Sequence, residues 1–149
     1  MIEINQIEIL FVEDNHYEAE LTIRSLRKNN FVNKLKHIDN GPEALDFIFS
    51  RGVYADRKNA QKPKLILLDL NLPKVNGLEI LRQIKTDQQT RVIPVVILTS
   101  SKEDKDITES YRLGVNSYIV KPLDLDSFNK VVSEIGLYWA VVNLPFEKY

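Results

Sequence analysis

The stretch Leu65-Ile-Leu-Leu-Asp69-Leu-Asn71-Leu-Pro73, followed by Lys74-Val-Asn-Gly77, decides the fold. Four apolar residues without a polar break read as a strand buried on both faces, the signature of a parallel sheet. The run ends on a carboxylate, Asp69, and the chain turns at once. A strand that delivers a charge to its end and then exposes it points to a site at that end.

Similar runs lie on either side. IEILFV (7–12), NKLKHI (33–38), VVILT (95–99) and SYIV (117–120) read as strands. Between them, HYEAELTIRSLRKN (16–29), GPEALDFIFS (41–50), GLEILRQIKTD (77–87) and KEDKDITESYRLG (102–114) carry the helical period, the last stopped by Gly114. LDSFNKVVSEIGLYWAVV (125–142) closes the series as a helix with an irregularity expected near Gly136. RGVYADRKNAQKPK (51–64) is polar and aperiodic and reads as a long loop. Strands and helices alternate five times, so the expected fold is α/β: a five-stranded parallel sheet, helices on both faces, and ligands outside the carboxyl ends of the strands.

Composition narrows the function. The chain has 149 residues, enough for one domain, with 44% hydrophobic and 28% charged residues and a net charge of −1. No block of like charge suggests nucleic acid, and no apolar stretch is long enough to span a bilayer. The start shows no basic, apolar leader, so a cytoplasmic protein is expected. With no cysteine, thiolate sites are excluded; His16 and His37 are the only histidines.

The strand ends carry the chemistry. The first ends in Glu13-Asp14, the third in Asp69, the fourth in Thr99-Ser100 and the fifth in Lys121-Pro122. Three converging carboxylates resist ionisation unless a cation joins them. A hard divalent ion such as Mg²⁺, which favours oxygen ligands and phosphate, suits Glu13, Asp14 and Asp69. The Asn71 backbone carbonyl is a further candidate ligand. Lys121, expected partly exposed in the pocket, pairs with Asp69 or neutralises a phosphoryl group on it, and the Thr99 hydroxyl can donate to that group. Asp69 beside a cation and a lysine is a plausible phosphoryl nucleophile. Singly, each residue has a plainer role: Asp14 or Asn15 as a helix cap, Asp69 as a turn residue, Thr99 as a turn hydroxyl, Lys121 as a solvated charge. Together at one sheet edge they are hard to explain as structure, because charges at a buried edge cost stability unless paired.

VEDN (12–15), LLDLNLPKVNG (67–77), PVVILTS (94–100) and YIVKP (118–122) together resemble the receiver domain of two-component response regulators, over about residues 5–137. The resemblance implies a flavodoxin-like, doubly wound (βα)5 sandwich with strand order 2-1-3-4-5. It implies Asp69 as acceptor of phosphate from a histidine kinase, Mg²⁺ or Mn²⁺ held by Glu13, Asp14, Asp69 and the Asn71 carbonyl, and Lys121 as the phosphate-binding lysine. Thr99 and Tyr118 are implied as the switch pair, and Lys121–Pro122 as a cis bond. Ser100 departs from the family's frequent alanine, and Asn71 and Ser101 occupy positions that tune dephosphorylation. DLNLPKVNG, the loop 51–64 and the tail YWAVVNLPFEKY look like stand-alone receivers that partner phytochrome-type sensor histidine kinases.

The expectation is therefore a single receiver domain over 1–149 with a short extension at 138–149 and no output domain. It is a phosphoacceptor that assists its own phosphorylation and dephosphorylation rather than a turnover enzyme. A phosphorelay intermediate passing phosphate to a histidine phosphotransfer protein is the alternative. A haloacid-dehalogenase-like phosphatase would want an acid at Asn71; a flavin or nucleotide binder would not place EDNHYE after its first strand. Leu137, Tyr138, Trp139, Val141, Val142, Leu144 and Phe146 make the tail apolar. It is expected to form a homodimer with the fourth helix, fifth strand and fifth helix, against the plainer alternative of folding back on its own sheet.

Overall fold

The computed structural model describes residues 7–28, 34–58 and 61–146. Five strands, β1 (Ile9–Val12), β2 (Leu35–Ile38), β3 (Leu65–Leu68), β4 (Val95–Thr99) and β5 (Ser117–Val120), form one sheet in the order β2-β1-β3-β4-β5. Every pairing is parallel. Five α-helices lie between and after them: α1 (His16–Arg27), α2 (Gly41–Ile48), α3 (Gly77–Thr86), α4 (Asp104–Leu113) and α5 (Leu125–Gly136). The expected flavodoxin-like topology is what the chain adopts.

Alternate strand residues feed two cores. Leu10, Val12, Ile66, Leu68 and Ile97 face Ala44 and Phe47 of α2 and Ile80, Leu81 and Ile84 of α3. Ile9, Phe11, Leu65, Leu67, Val96 and Leu98 face Ala19 and Leu26 of α1 and Phe128, Val132 and Ile135 of α5. The unbroken apolar strands follow from this, since both faces are covered.

Register aligns the strand ends. Val12 lies opposite Leu68, and Thr99 opposite Val120. The ladder continues one step further, with the Asp69 amide donating to the Val12 carbonyl (3.1 Å) and the Lys121 amide to the Thr99 carbonyl (2.8 Å). Glu13, Asp69 and Lys121 are thus each the first residue past a strand. Because the first strand pair winds outward and β3 returns on the other side of β1, this edge lies at the switch point of the topology.

Helix starts are capped in a repeated way. Asn15, Asn40 and Asn76 accept hydrogen bonds from the amides of Glu18, Glu43 and Glu79. Gly114, with φ of 102°, ends α4 in the left-handed conformation, as expected.

Three details differ from expectation, and the change of helix type at Gly136 meets it. The 51–64 segment is not all loop: Gly52–Arg57 forms a 3₁₀ turn. Long-range contacts hold it, with the Tyr54 hydroxyl donating to Glu43 Oε2 (2.6 Å) and Arg57 Nη1 to the Phe47 carbonyl (3.0 Å). The last helix ends at Gly136 and continues as a π-helical segment, Leu137–Val142. No cis peptide occurs among the described residues, so Lys121–Pro122 is trans, not cis. Trans is the lower form of an X–Pro bond by about 0.5–1 kcal/mol, and Lys121 reaches its partners from it. Strand β2 starts at Leu35; Asn33, expected to open it, Asn29 of the expected first helix, and residues 5 and 6 of the expected core lie outside the described residues.

One side of the tail folds back on its own domain. Ala140 is buried, Trp139 packs on the α1/α5 core, and Lys64 Nζ donates to the Ala140 carbonyl (3.1 Å). On the outer side Leu137, Tyr138, Val141, Val142, Leu144 and Phe146 are exposed.

Candidate functional site at the carboxyl edge of the sheet

Glu13 is 1% exposed, Asp69 6%, Thr99 0% and Lys121 9%, while Asp14 is exposed beside them. The Lys121 ammonium is the hub. Its Nζ lies 2.7 Å from Glu13 Oε1, 3.1 Å from Glu18 Oε1 and 3.3 Å from Asp69 Oδ2. Lys121 is therefore buried, not partly exposed as expected, because three carboxylates close around its head. Among the described residues no buried side-chain nitrogen or oxygen lacks a hydrogen-bond partner.

Charge is unevenly shared in this cluster. Burial, and then the neighbouring Asp69 charge, push the Glu13 carboxyl up to about 7 against the pull of Lys121. Burial drives Lys121 downward, but the Glu13 hydrogen bond and the charges of Asp69 and Glu13 outweigh it, so its net shift is upward. The ammonium stays charged and the acids compete for it.

Glu13, Asp14 and Asp69 each offer an oxygen, and these oxygens lie within 4.8 Å of one another. An all-oxygen donor set with excess negative charge fits a hard divalent cation. One ammonium does not neutralise three carboxylates, and a cation at this spacing would.

The loop after β3 holds Asp69 still. The Asn71 amide donates to Asp69 Oδ1 (3.3 Å), and the Gly77 amide to the Leu70 carbonyl (2.9 Å). Gly77 packs so tightly here that a Cβ would sit 2.3 Å from the Asp69 carbonyl oxygen. No larger residue fits without moving Asp69.

Thr99 and Tyr118 sit on one flank, joined through Ser101. The Ser101 amide donates to Thr99 Oγ1 (3.3 Å), and the half-buried Tyr118 hydroxyl donates to the Ser101 carbonyl (3.0 Å). Ser101 Oγ in turn donates to Asp106 Oδ2 of α4 (2.6 Å). The structure thus brings Glu13, Asp14, Asp69 and Lys121 into one cluster, sets Asn71 on the adjoining loop, and puts Thr99 and Tyr118 beside it. Sequence reasoning missed Glu18. Its only signal was its place three residues after the cap Asn15, where an acid is ordinary.

Residues 9–133 match the family model of the response regulator receiver domain. Response regulator Rcp1 of Synechocystis sp. is 38% identical over 138 residues, 92% of each chain. The probable methanogenesis regulatory protein FilR2 of Methanothrix harundinacea is 40% identical over 131 residues, 88% of this chain and 82% of its own. Among solved structures, the phosphorylated cyanobacterial phytochrome response regulator RcpA superposes with a TM-score of 0.86 at 37% identity, over 94% of this chain and 98% of its own. The Mn²⁺-bound form of Rcp1 follows at 0.85 and 36%, over 93% and 97%. With the topology, the acidic edge and these likenesses in agreement, the chain belongs to the response regulator receiver domain family.

Proposed function

We propose that this chain is a stand-alone response regulator. Asp69 accepts a phosphoryl group from a sensor histidine kinase, and the protein signals through the altered surface that follows. The observation that carries this is the Asp69 carboxylate, buried at a strand end and held by the Asn71 amide, with Lys121 Nζ 3.3 Å away and two further acids beside it.

In the transfer, an Asp69 oxygen attacks phosphorus, the bond from phosphorus to the donor imidazole nitrogen breaks, and the imidazole leaves. Lys121 offsets charge gathering on the phosphoryl oxygens, and the Thr99 hydroxyl turns to donate to one of them. Mg²⁺ or Mn²⁺, held by Glu13, Asp14, Asp69 and the Asn71 carbonyl, would neutralise the remaining charge there. A relative in a Mn²⁺-bound form and another in a phosphorylated form support this reading. That RcpA is a phytochrome response regulator favours a phytochrome-type kinase as partner. Tyr17, shortly after Asp14, and Leu123 and Leu125, shortly after Lys121, are exposed apolar residues suited to a protein partner. The product is a changed interaction, with no turnover of external substrate.

Incubation with acetyl phosphate and Mg²⁺ should add one phosphoryl group by intact mass, and Asp69→Asn or excess chelator should remove it. Equal labelling of Asp69→Asn would overturn the assignment.

The outer apolar side of Leu137–Val142, with Leu144 and Phe146, supports a homodimer continuous with α4, β5 and α5. Sedimentation should show a dimer that a chain truncated after Gly136 loses. Monomers of the wild type, with and without beryllofluoride, would count against it.

A further inference from the structure

Glu18 does something unusual for its position. It is the third residue of α1, after the cap Asn15, where a glutamate ordinarily turns back to the cap's own amide. Here the Asn15 amide instead donates to Glu13 Oε2 (3.2 Å). The Glu18 carboxylate is released from capping and pairs with Lys121 Nζ at 3.1 Å, its sole partner among the described residues.

An ammonium has three N–H groups. Lys121 donates to Glu13 and Asp69 and pairs with Glu18 as an ion pair, so three carboxylates crowd one ammonium. Glu13 and Asp69 belong to the cluster that can hold a cation; Glu18 does not. Its side chain is also the most open of the three, 36% exposed against 2% and 7%. A phosphoryl group on Asp69 brings new acceptor oxygens, and Lys121 must let go of one carboxylate to meet them. Glu18 is the one that can swing into solvent.

We propose that Glu18 is a positioning residue that anchors the Lys121 ammonium in the unphosphorylated state and competes with the phosphoryl group for it. The proposal rests on Asp69 being the phosphoacceptor. Glu18 thereby lowers the stability of the phosphorylated form.

The test is beryllofluoride affinity at saturating Mg²⁺, read by fluorine NMR of the bound species, for wild type, Glu18→Gln and Glu18→Asp. Glu18→Gln should bind about two- to fivefold tighter, the equivalent of one partly exposed ion pair. Glu18→Asp keeps the charge but falls short of Nζ, so it should behave like Glu18→Gln. Wild-type affinity in Glu18→Asp would show that a remote charge, not the contact, matters, and would overturn the proposal. So would unchanged or weaker binding by Glu18→Gln. If one variant fails to fold, the other alone decides by the same criteria. Absence of beryllofluoride binding by the wild type itself would instead sink the phosphoacceptor reading, and the role of Glu18 with it.

Discussion

Two lysines, at opposite ends of the same sheet, are held by three acceptors each. Lys121, past β5, faces the carboxylates of Glu13, Glu18 and Asp69. Lys85, near the end of α3, donates to the Arg91 and Ile93 carbonyls and to Asn116 Oδ1, before β4 and β5 begin. The acceptors of one are charged and of the other neutral, and the two ammoniums respond oppositely. Burial takes Lys85 down to about 8. The same burial acts on Lys121, but the acids reverse it and its shift is upward. Desolvation is common to both ends; only the carboxyl edge has the surplus charge that can receive a cation. One lysine fastens a loop and the other gathers a cluster of acids.

The comparison breaks most visibly at Lys121. Lys121→Met leaves Glu13 and Asp69 buried without a counter-charge, which should cost about 3–5 kcal/mol and lower Tm by on the order of 10 °C. Saturating Mg²⁺ should restore much of this, so melting with and without the ion checks both halves. An unchanged Tm in chelator would mean the acids never needed the ammonium. Lys85→Met keeps the apolar stem and removes the donor. Asn116 Oδ1 still accepts from the Val95 amide, so only the two carbonyls lose a partner, and urea denaturation should show a loss of about 1–2 kcal/mol. A loss as large as that at Lys121 would erase the distinction. A third effect is in pH. The folded value of Lys85, about 8, lies below its ordinary 10.5. Between them the unfolded chain holds a proton that the folded chain has released, so this group's stabilisation rises with pH and is lost as pH falls through about 8. Wild type should gain on Lys85→Met from about pH 8 to 10.5; a wild type that falls behind would show that its three acceptors outweigh burial.

Residues that end apolar runs were legible in the sequence. Glu13, Asp69 and Lys121 each follow an unmistakable apolar strand, Thr99 closes one, and parallel order places them together. The helix stop at Gly114 and the irregularity at Gly136 were visible for the same local reason. What escaped depends on contacts between distant residues. Glu18 and Lys85 look like solvated charges on helix surfaces, and nothing nearby says that Lys121 or the Ile93 carbonyl lies opposite. The Gly52–Arg57 turn has no periodicity, because Glu43 and Phe47 hold it. Lys121 was expected too open, since its burial is supplied by acids of β1, α1 and β3.

The bonds that meet at Ser101 imply a resting population. On the proposed phosphoacceptor reading, turning Thr99 to a phosphoryl group and moving Tyr118 would open two hydrogen bonds to Ser101. At about 1 kcal/mol each, such a conformer would lie about 2 kcal/mol above the resting one, roughly 3% of molecules before any phosphate arrives. Output in the dark of the signal is then small but not zero, and weakening either bond raises that background without touching Asp69.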